Sequence, residues 1–148
     1  MIYVLYGQPG SGKTTLGKYL EQYLRHLPTN GCDAVMIDGD ELRTLFTNAN
    51  YTKKGRYQNI RNANAIATYA EHVLHRDTIM MLVNPYECLR DELRVNNKCI
   101  TEVFLWSKRS LRKKYHVKNF EQGDPEYMIN TDTAPAQTWK TFKILLQL

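Results

Sequence analysis

The chain has 148 residues, room for one compact domain and not for two of ordinary size. Apolar residues make up 43% and charged residues 24%, which excludes disorder, and no apolar run nears the roughly 20 residues of a membrane helix. The net charge of +5 is local: Lys108, Arg109, Arg112, Lys113, Lys114 and Lys118 fall in one acid-free window, and without them the 20 basic residues drop to 14 against 15 acidic. That window reads either as a polyanion-seeking surface or as a solvated helix face. The three cysteines (Cys32, Cys88, Cys99) are odd in number and lack metal-ligand spacing, and the N-terminus carries no signal-peptide pattern. A reducing, cytoplasmic setting is therefore expected, with no membrane partner.

In chain order, Ile2 to Tyr6 is a short apolar run ending at Gly7, a buried central strand. From Lys13 to Leu27 the apolar residues Leu16, Tyr19, Leu20, Tyr23, Leu24 and Leu27 recur at three and four, a helical stripe that Pro28-Thr29-Asn30-Gly31 ends. Ala34 to Ile37 predicts a second strand, closed by Asp38-Gly39-Asp40. Ile60, Ala63, Ala67, Ala70 and Leu74 predict a long helix, and Thr78 to Val83 a third strand that stops at Asn84-Pro85. A charged helix follows at Glu87 to Arg94, then a strand at Ile100 to Trp106 and a packing helix at Pro135 to Leu148. Strands alternating with helices predict an α/β fold, three layers deep, in which helices flank a parallel sheet. Ligands of such sheets bind beyond the carboxyl ends of the strands, where Gly7, Asp38 and Asn84 fall.

Gly7-Gln8-Pro9-Gly10-Ser11-Gly12-Lys13-Thr14 matches G-x-x-x-x-G-K-[S/T] at every fixed position, between a predicted strand and a predicted helix. The glycines let backbone N–H groups curl around phosphate oxygens, and the helix N-terminus behind them favours the anion. Gly7 through Thr15 are the expected ATP-binding residues. Lys13 supplies charge to the β- and γ-phosphates, and the Thr14 hydroxyl is a Mg²⁺ ligand. A carboxylate at the end of another strand is needed beside the metal. The third strand ends in Asn84, so Asp38 takes that place, as metal-shell ligand and catalytic group with Lys13. Asp40 either binds substrate or caps a helix starting near Glu41.

Beyond the phosphate loop, four further stretches stand in order: Asp38-Gly39-Asp40-Glu41-Leu42-Arg43, Arg56-Tyr57-Gln58-Asn59-Ile60-Arg61, Asn84-Pro85-Tyr86, and the basic stretch Ser110-Leu111-Arg112-Lys113-Lys114 to Val117-Lys118-Asn119-Phe120 and Gly123-Asp124-Pro125-Glu126-Tyr127. In these the chain resembles the adenylylsulfate (APS) kinase family of P-loop kinases. The resemblance implies a P-loop NTPase-type domain over 1–148 with a short basic lid at about 107–127. It also implies transfer of the ATP γ-phosphate to the 3′-hydroxyl of adenylylsulfate with Mg²⁺, and a homodimer, as such kinases often form. By the same resemblance Asp40, Arg43, Arg56, Asn59, Asn84, Pro85 and Lys113 meet the acceptor, and Tyr51 and Phe120 bracket its adenine. Read from the residues alone, Tyr51 is equally a surface loop tyrosine and Phe120 a hydrophobe anchoring the lid. One departure is chemical: Asn84 stands where the family pattern has the serine of S-P. A kinase of another nucleoside, nucleotide or polynucleotide hydroxyl is the alternative, its basic lid tracking a nucleic-acid backbone. A non-catalytic nucleotide- or nucleic-acid-binding module is a further one, against which the carboxylate pair argues.

Overall fold

The structure is a computed structural model that describes residues 1–27, 33–109 and 112–148. Five strands form one parallel sheet: β1 (Ile2–Tyr6), β2 (Val35–Asp38), β3 (Thr78–Leu82), β4 (Ile100–Trp106) and β5 (Tyr127–Asn130), in the order β2-β3-β1-β4-β5. β1 is central, with Ile2 opposite Thr78 and Ile100, and Tyr6 opposite Leu82 and Phe104. All five of its residues are buried, as a strand covered on both faces requires.

The alternation of β1 side chains divides the core in two. Ile2, Val4 and Tyr6 face α3 (Lys53–His72) and α4 (Glu87–Asn96), packing with Ile60, Ala63, Ala67, Leu89 and Leu93. Tyr3 and Leu5 face α1 (Lys13–Arg25) and α5 (Pro135–Leu146), packing with Leu16, Leu20, Leu24 and Phe142. The chain leaving β1 thus turns to one face and the chain leaving β3 to the other, which opens a crevice between their carboxyl ends.

Most predicted elements stand, with shifted ends. The expected terminator of α1, residues 28–31, lies outside the described residues, as do Cys32, Ser110 and Leu111. α3 stops at His72, so Leu74 is exposed beyond it. α2 (Gly39–Leu45) begins on the residue after Asp38, and Asp38 rather than Asp40 is its N-cap: Asp38 Oδ1 accepts from Asp40 N at 2.9 Å. The choice between the two carboxylates has a simple cause, since the cap carboxylate must reach the N–H two residues on. β5 was not anticipated, because only Ile129 of its four residues is buried and no alternation marks it. The chain reaches it from β4 through a short 3-10 turn at Lys113–Tyr115 instead of an α-helix. Among the described residues no helix is long and apolar enough to cross a membrane, and Cys88 and Cys99 are free.

Candidate active site

The loop between β1 and α1 is built on backbone that side chains resist. Gly7, Gly10 and Gly12 have φ of 148, 84 and 86°, and a Cβ on Gly7 would meet Leu105 O at 2.1 Å. Gly7 N donates to Val83 O at 3.3 Å, which holds the loop beside the end of β3. Ser11 is buried, and its carbonyl accepts from Thr131 Oγ1 at 3.0 Å. Lys13 is folded under the loop, donating to Gly7 O and Gln8 O at 2.9 Å each and to Ser11 Oγ at 3.2 Å. Burial lowers its pKa to about 8, an effect that Asp38 and Asp40 oppose.

Thr14, in the first turn of α1, donates through Oγ1 to Asp38 Oδ2 at 2.8 Å. Parallel pairing of β2 to β3 and β3 to β1 brings these residues, 24 apart in sequence, to one edge of the cleft. A hydroxyl and a carboxylate oxygen side by side are hard donors of the kind Mg²⁺ takes, so the residues present fit that ion. Among the described residues no group of three or more His, Cys, Asp or Glu could hold a metal. A magnesium ion carried on nucleotide phosphates needs only one or two protein oxygens.

The cleft above has a volume of about 730 Å³. Of the residues expected at the site, Pro9, Gly10, Gly12, Lys13, Thr14, Thr15, Asp38, Asp40, Arg43, Tyr51, Arg56, Asn59, Asn84 and Pro85 line it. Arg43 reaches Asn48 O at 3.1 Å and Asn50 O at 2.9 Å and lies 4.2 Å from the Tyr51 ring centre; Arg56 Nε donates to Tyr51 O at 2.8 Å. The two arginines therefore also fix the loop that carries Tyr51. Asn59 Nδ2 donates to Gly39 O at 3.1 Å.

Five expected residues sit elsewhere. Gly7 and Ser11 shape the loop from beneath. Gln8 turns to the basic segment, where its side-chain amide exchanges two hydrogen bonds with Val117, Nε2 to O and N to Oε1, both 2.9 Å. Phe120 stands outside the cleft, stacked on Tyr6 (centroids 6.3 Å, 8° between planes) and 5.7 Å from Phe104. Its ring packs, partly buried, against this apolar wall. Lys113, a fifth, is exposed in the 3-10 turn; its neighbour Arg112 lines the cleft instead, 3.8 Å from Asp40.

Sequence reasoning missed Arg112 and Tyr115 in the cleft wall, and a knot under the basic segment. There Arg109 donates to Thr131 O and Asp132 accepts from Ser107 Oγ, Lys108 N and Asn130 Nδ2. The Ser107 hydroxyl, then Lys108 N, hold the Asp132 carboxyl down at about 2. The excess of positive charge was the one available signal for Arg112; nothing marked Tyr115.

No curated protein sequence matches the chain. Among solved structures it resembles the Mycobacterium tuberculosis APS kinase CysC in complex with AMPPNP and APS, at a TM-score of 0.82 and 18% identity over 99% of this chain and 97% of that one. A gluconokinase from Sinorhizobium meliloti 1021 gives 0.69 and 14% over 98% and 90%. Chaetomium thermophilum Kti12 in complex with ADP-AlF3 gives 0.71 and 18% over 99% and 98%. These likenesses establish the P-loop kinase fold. The sequence model of adenylylsulphate kinase matches residues 1–124, from the first strand through the phosphate loop and the basic segment, and the chain belongs to that family of P-loop kinases.

Proposed function

We propose that the protein transfers the γ-phosphoryl group of ATP to the 3′-hydroxyl of adenylylsulfate. The observation that carries this reading is the Thr14–Asp38 contact at 2.8 Å beside the phosphate loop, in a cleft whose other wall holds Arg43 and Arg56. Phosphoryl transfer asks chiefly for positioning and charge neutralisation, and the cleft offers both. The loop N–H groups and Lys13 take the β- and γ-phosphates. Thr14 and Asp38 would hold Mg²⁺, which would neutralise charge on the same phosphates. Asp38 Oδ1 is oriented by the Asp40 N–H, and Oδ2 keeps a lone pair to accept the proton of the attacking hydroxyl. The hydroxyl oxygen bonds to the γ-phosphorus as the bond to the β-phosphate bridge breaks, and ADP leaves. The remaining N–H groups of Arg43 and Arg56 suit the phosphosulfate, since a guanidinium fork pairs two oxygens at once. Asp40 and Asn59 line the acceptor side, Tyr51 offers a ring to its adenine, and the basic segment acts as the lid that excludes water.

Incubation with Mg²⁺-ATP and adenylylsulfate should yield the 3′-phosphorylated product. Asp38→Ala should lower kcat by about 10³-fold while ATP affinity stays within about threefold. An unchanged rate in that variant removes Asp38 from the chemistry. A polynucleotide hydroxyl is the second reading, supported by the exposure of Lys113, Lys114 and Lys118 with Tyr115 at the cleft rim. Phosphate entering an oligonucleotide, with none entering adenylylsulfate, selects it.

A further inference from the structure

The wall of the cleft contains a polar group that nothing in the protein satisfies. Asn84, just past the end of β3, is 1% exposed, and neither its Oδ1 nor its Nδ2 has a hydrogen-bond partner. Because both atoms are unpaired, turning the amide over does not help. Folded proteins keep few such groups, since an unmade buried hydrogen bond is destabilising. Asn59, 4% exposed on the facing helix α3, spends Nδ2 on Gly39 O and leaves Oδ1 unpaired. Among the described residues, these two are the only cleft-lining side chains with buried polar atoms left over.

Backbone conformation explains part of this. Asn84 has φ of 45°, a region that asparagine tolerates better than most residues, and its carbonyl accepts from Arg90 Nη1 at 2.7 Å. That accounts for asparagine or glycine here. It does not account for an amide left without partners. The location is informative: β3 lies between β2, which ends at Asp38, and β1, which ends at the phosphate loop. Asn84 therefore stands between the proposed base and the phosphates.

Resting on the reading of this cleft as a kinase site, we propose that Asn84 reads a second hydroxyl adjacent to the one phosphorylated, so that the preferred acceptors are vicinal diols. The unspent groups are two acceptors, Oδ1 of Asn59 and of Asn84, and one donor, Nδ2 of Asn84. A hydroxyl brings one donor and two lone pairs, so one neighbouring hydroxyl can give its proton to an amide oxygen and accept from Nδ2. The reacting hydroxyl is left to Asp38. Both amide atoms are closed to water in the free protein, so the wall parts as the acceptor enters. An amide also lacks a nucleophilic oxygen at neutral pH, which leaves Asn84 a recognition group and not a phosphate carrier.

The test compares diols with their mono-deoxy counterparts at saturating Mg²⁺-ATP: adenylylsulfate and its 2′-deoxy form, adenosine monophosphate and its 2′-deoxy form, and gluconate and 5-deoxygluconate. Wild type should favour the diol of an active pair by about tenfold or more in kcat/KM. In Asn84→Gly, which keeps the left-handed backbone and removes the amide, that preference should shrink to within about twofold while the KM for ATP is unmoved. If thermal melting shows that Asn84→Gly does not fold, Asn84→Asp, which retains the shape and loses the donor, takes its place. Diol preference that appears with gluconate or adenosine monophosphate, but not with adenylylsulfate, supports the inference and overturns the proposed acceptor. An unchanged diol-to-deoxy ratio in the variant overturns the inference, as does a failure of wild type to phosphorylate any diol of the set.

Discussion

Lys13 shows how burial sets the terms of nucleotide binding. Its ammonium is shut under the loop on three oxygens, and the loss of water there lowers its pKa to about 8. Phosphate oxygens favour the charged form, so bound nucleotide raises that pKa again. The affinity owed to this charge is therefore fully present below pH 8, and it falls as the pH rises through 8, where binding must first draw a proton from solution. Titration calorimetry of ATP in buffers of different ionisation heat should show proton uptake growing between pH 7 and pH 9, with ATP affinity dropping about tenfold from pH 7.5 to pH 9.5. Flat affinity and no uptake would mean that Lys13 keeps its proton in the free protein. The same shift bears on folding with the opposite sense: the buried ammonium costs stability below pH 8, and that cost is relieved as pH rises toward its unfolded value.

At the level of elements, the phosphate loop and the basic segment are joined through the Gln8 side chain. Gln8 presents an amide edge to Val117 as a neighbouring strand would, giving and taking one hydrogen bond at 2.9 Å each. Two such bonds, partly buried, contribute about 1–3 kcal/mol to keeping the segment down. Gln8→Ala should raise the hydrogen-exchange rate of the Val117 amide by about tenfold and leave α1 and β1 unchanged; equal protection in both proteins would show the clasp to be incidental. Sequence made neither partner legible, because the clasp joins residues 109 apart and Val117 has no pattern of its own. What it did make legible were elements with periodicity or a fixed motif: β1, the phosphate loop, α1, and the Asp38-Gly39-Asp40 turn after β2. The cap of α2 stays open in the sequence because two carboxylates flank one glycine, and only the backbone decides which of them faces the new helix. β5 was missed since one buried residue in four carries no period. Arg112 was visible as charge, but its approach to Asp40 depends on a left-handed backbone at φ 53° that sequence does not announce.

Over the whole molecule, the cleft stays formed because the segment after the basic stretch is nailed to the sheet, and Arg90 is the nail. It is fully buried on α4, donates to Asn84 O at 2.7 Å, Glu121 O at 2.8 Å and Gln122 O at 3.2 Å, and lies 4.5 Å from the Tyr6 ring centre. Tyr6 joins the same tie, donating to Gln122 O at 2.6 Å. One planar guanidinium thus fastens β1, the end of β3 and the chain returning toward β5, which no point charge could do. Arg90→Met takes a donor from three carbonyls, leaving the buried Asn84 O without that partner while Gln122 O keeps the Tyr6 hydroxyl, and should cost about 3 kcal/mol, lowering Tm by roughly 10 °C in a chain of this size. Arg90→Lys should recover only part of that, one ammonium being unable to span all three carbonyls. Arg61 makes a more visible contact, an ion pair at 2.8 Å to Glu92, but both partners are exposed and such pairs are worth under about 1 kcal/mol. Arg61→Met should therefore move Tm by no more than about 3 °C, and comparable melting of Arg61→Met and Arg90→Met would show that the cleft does not depend on this buried tie.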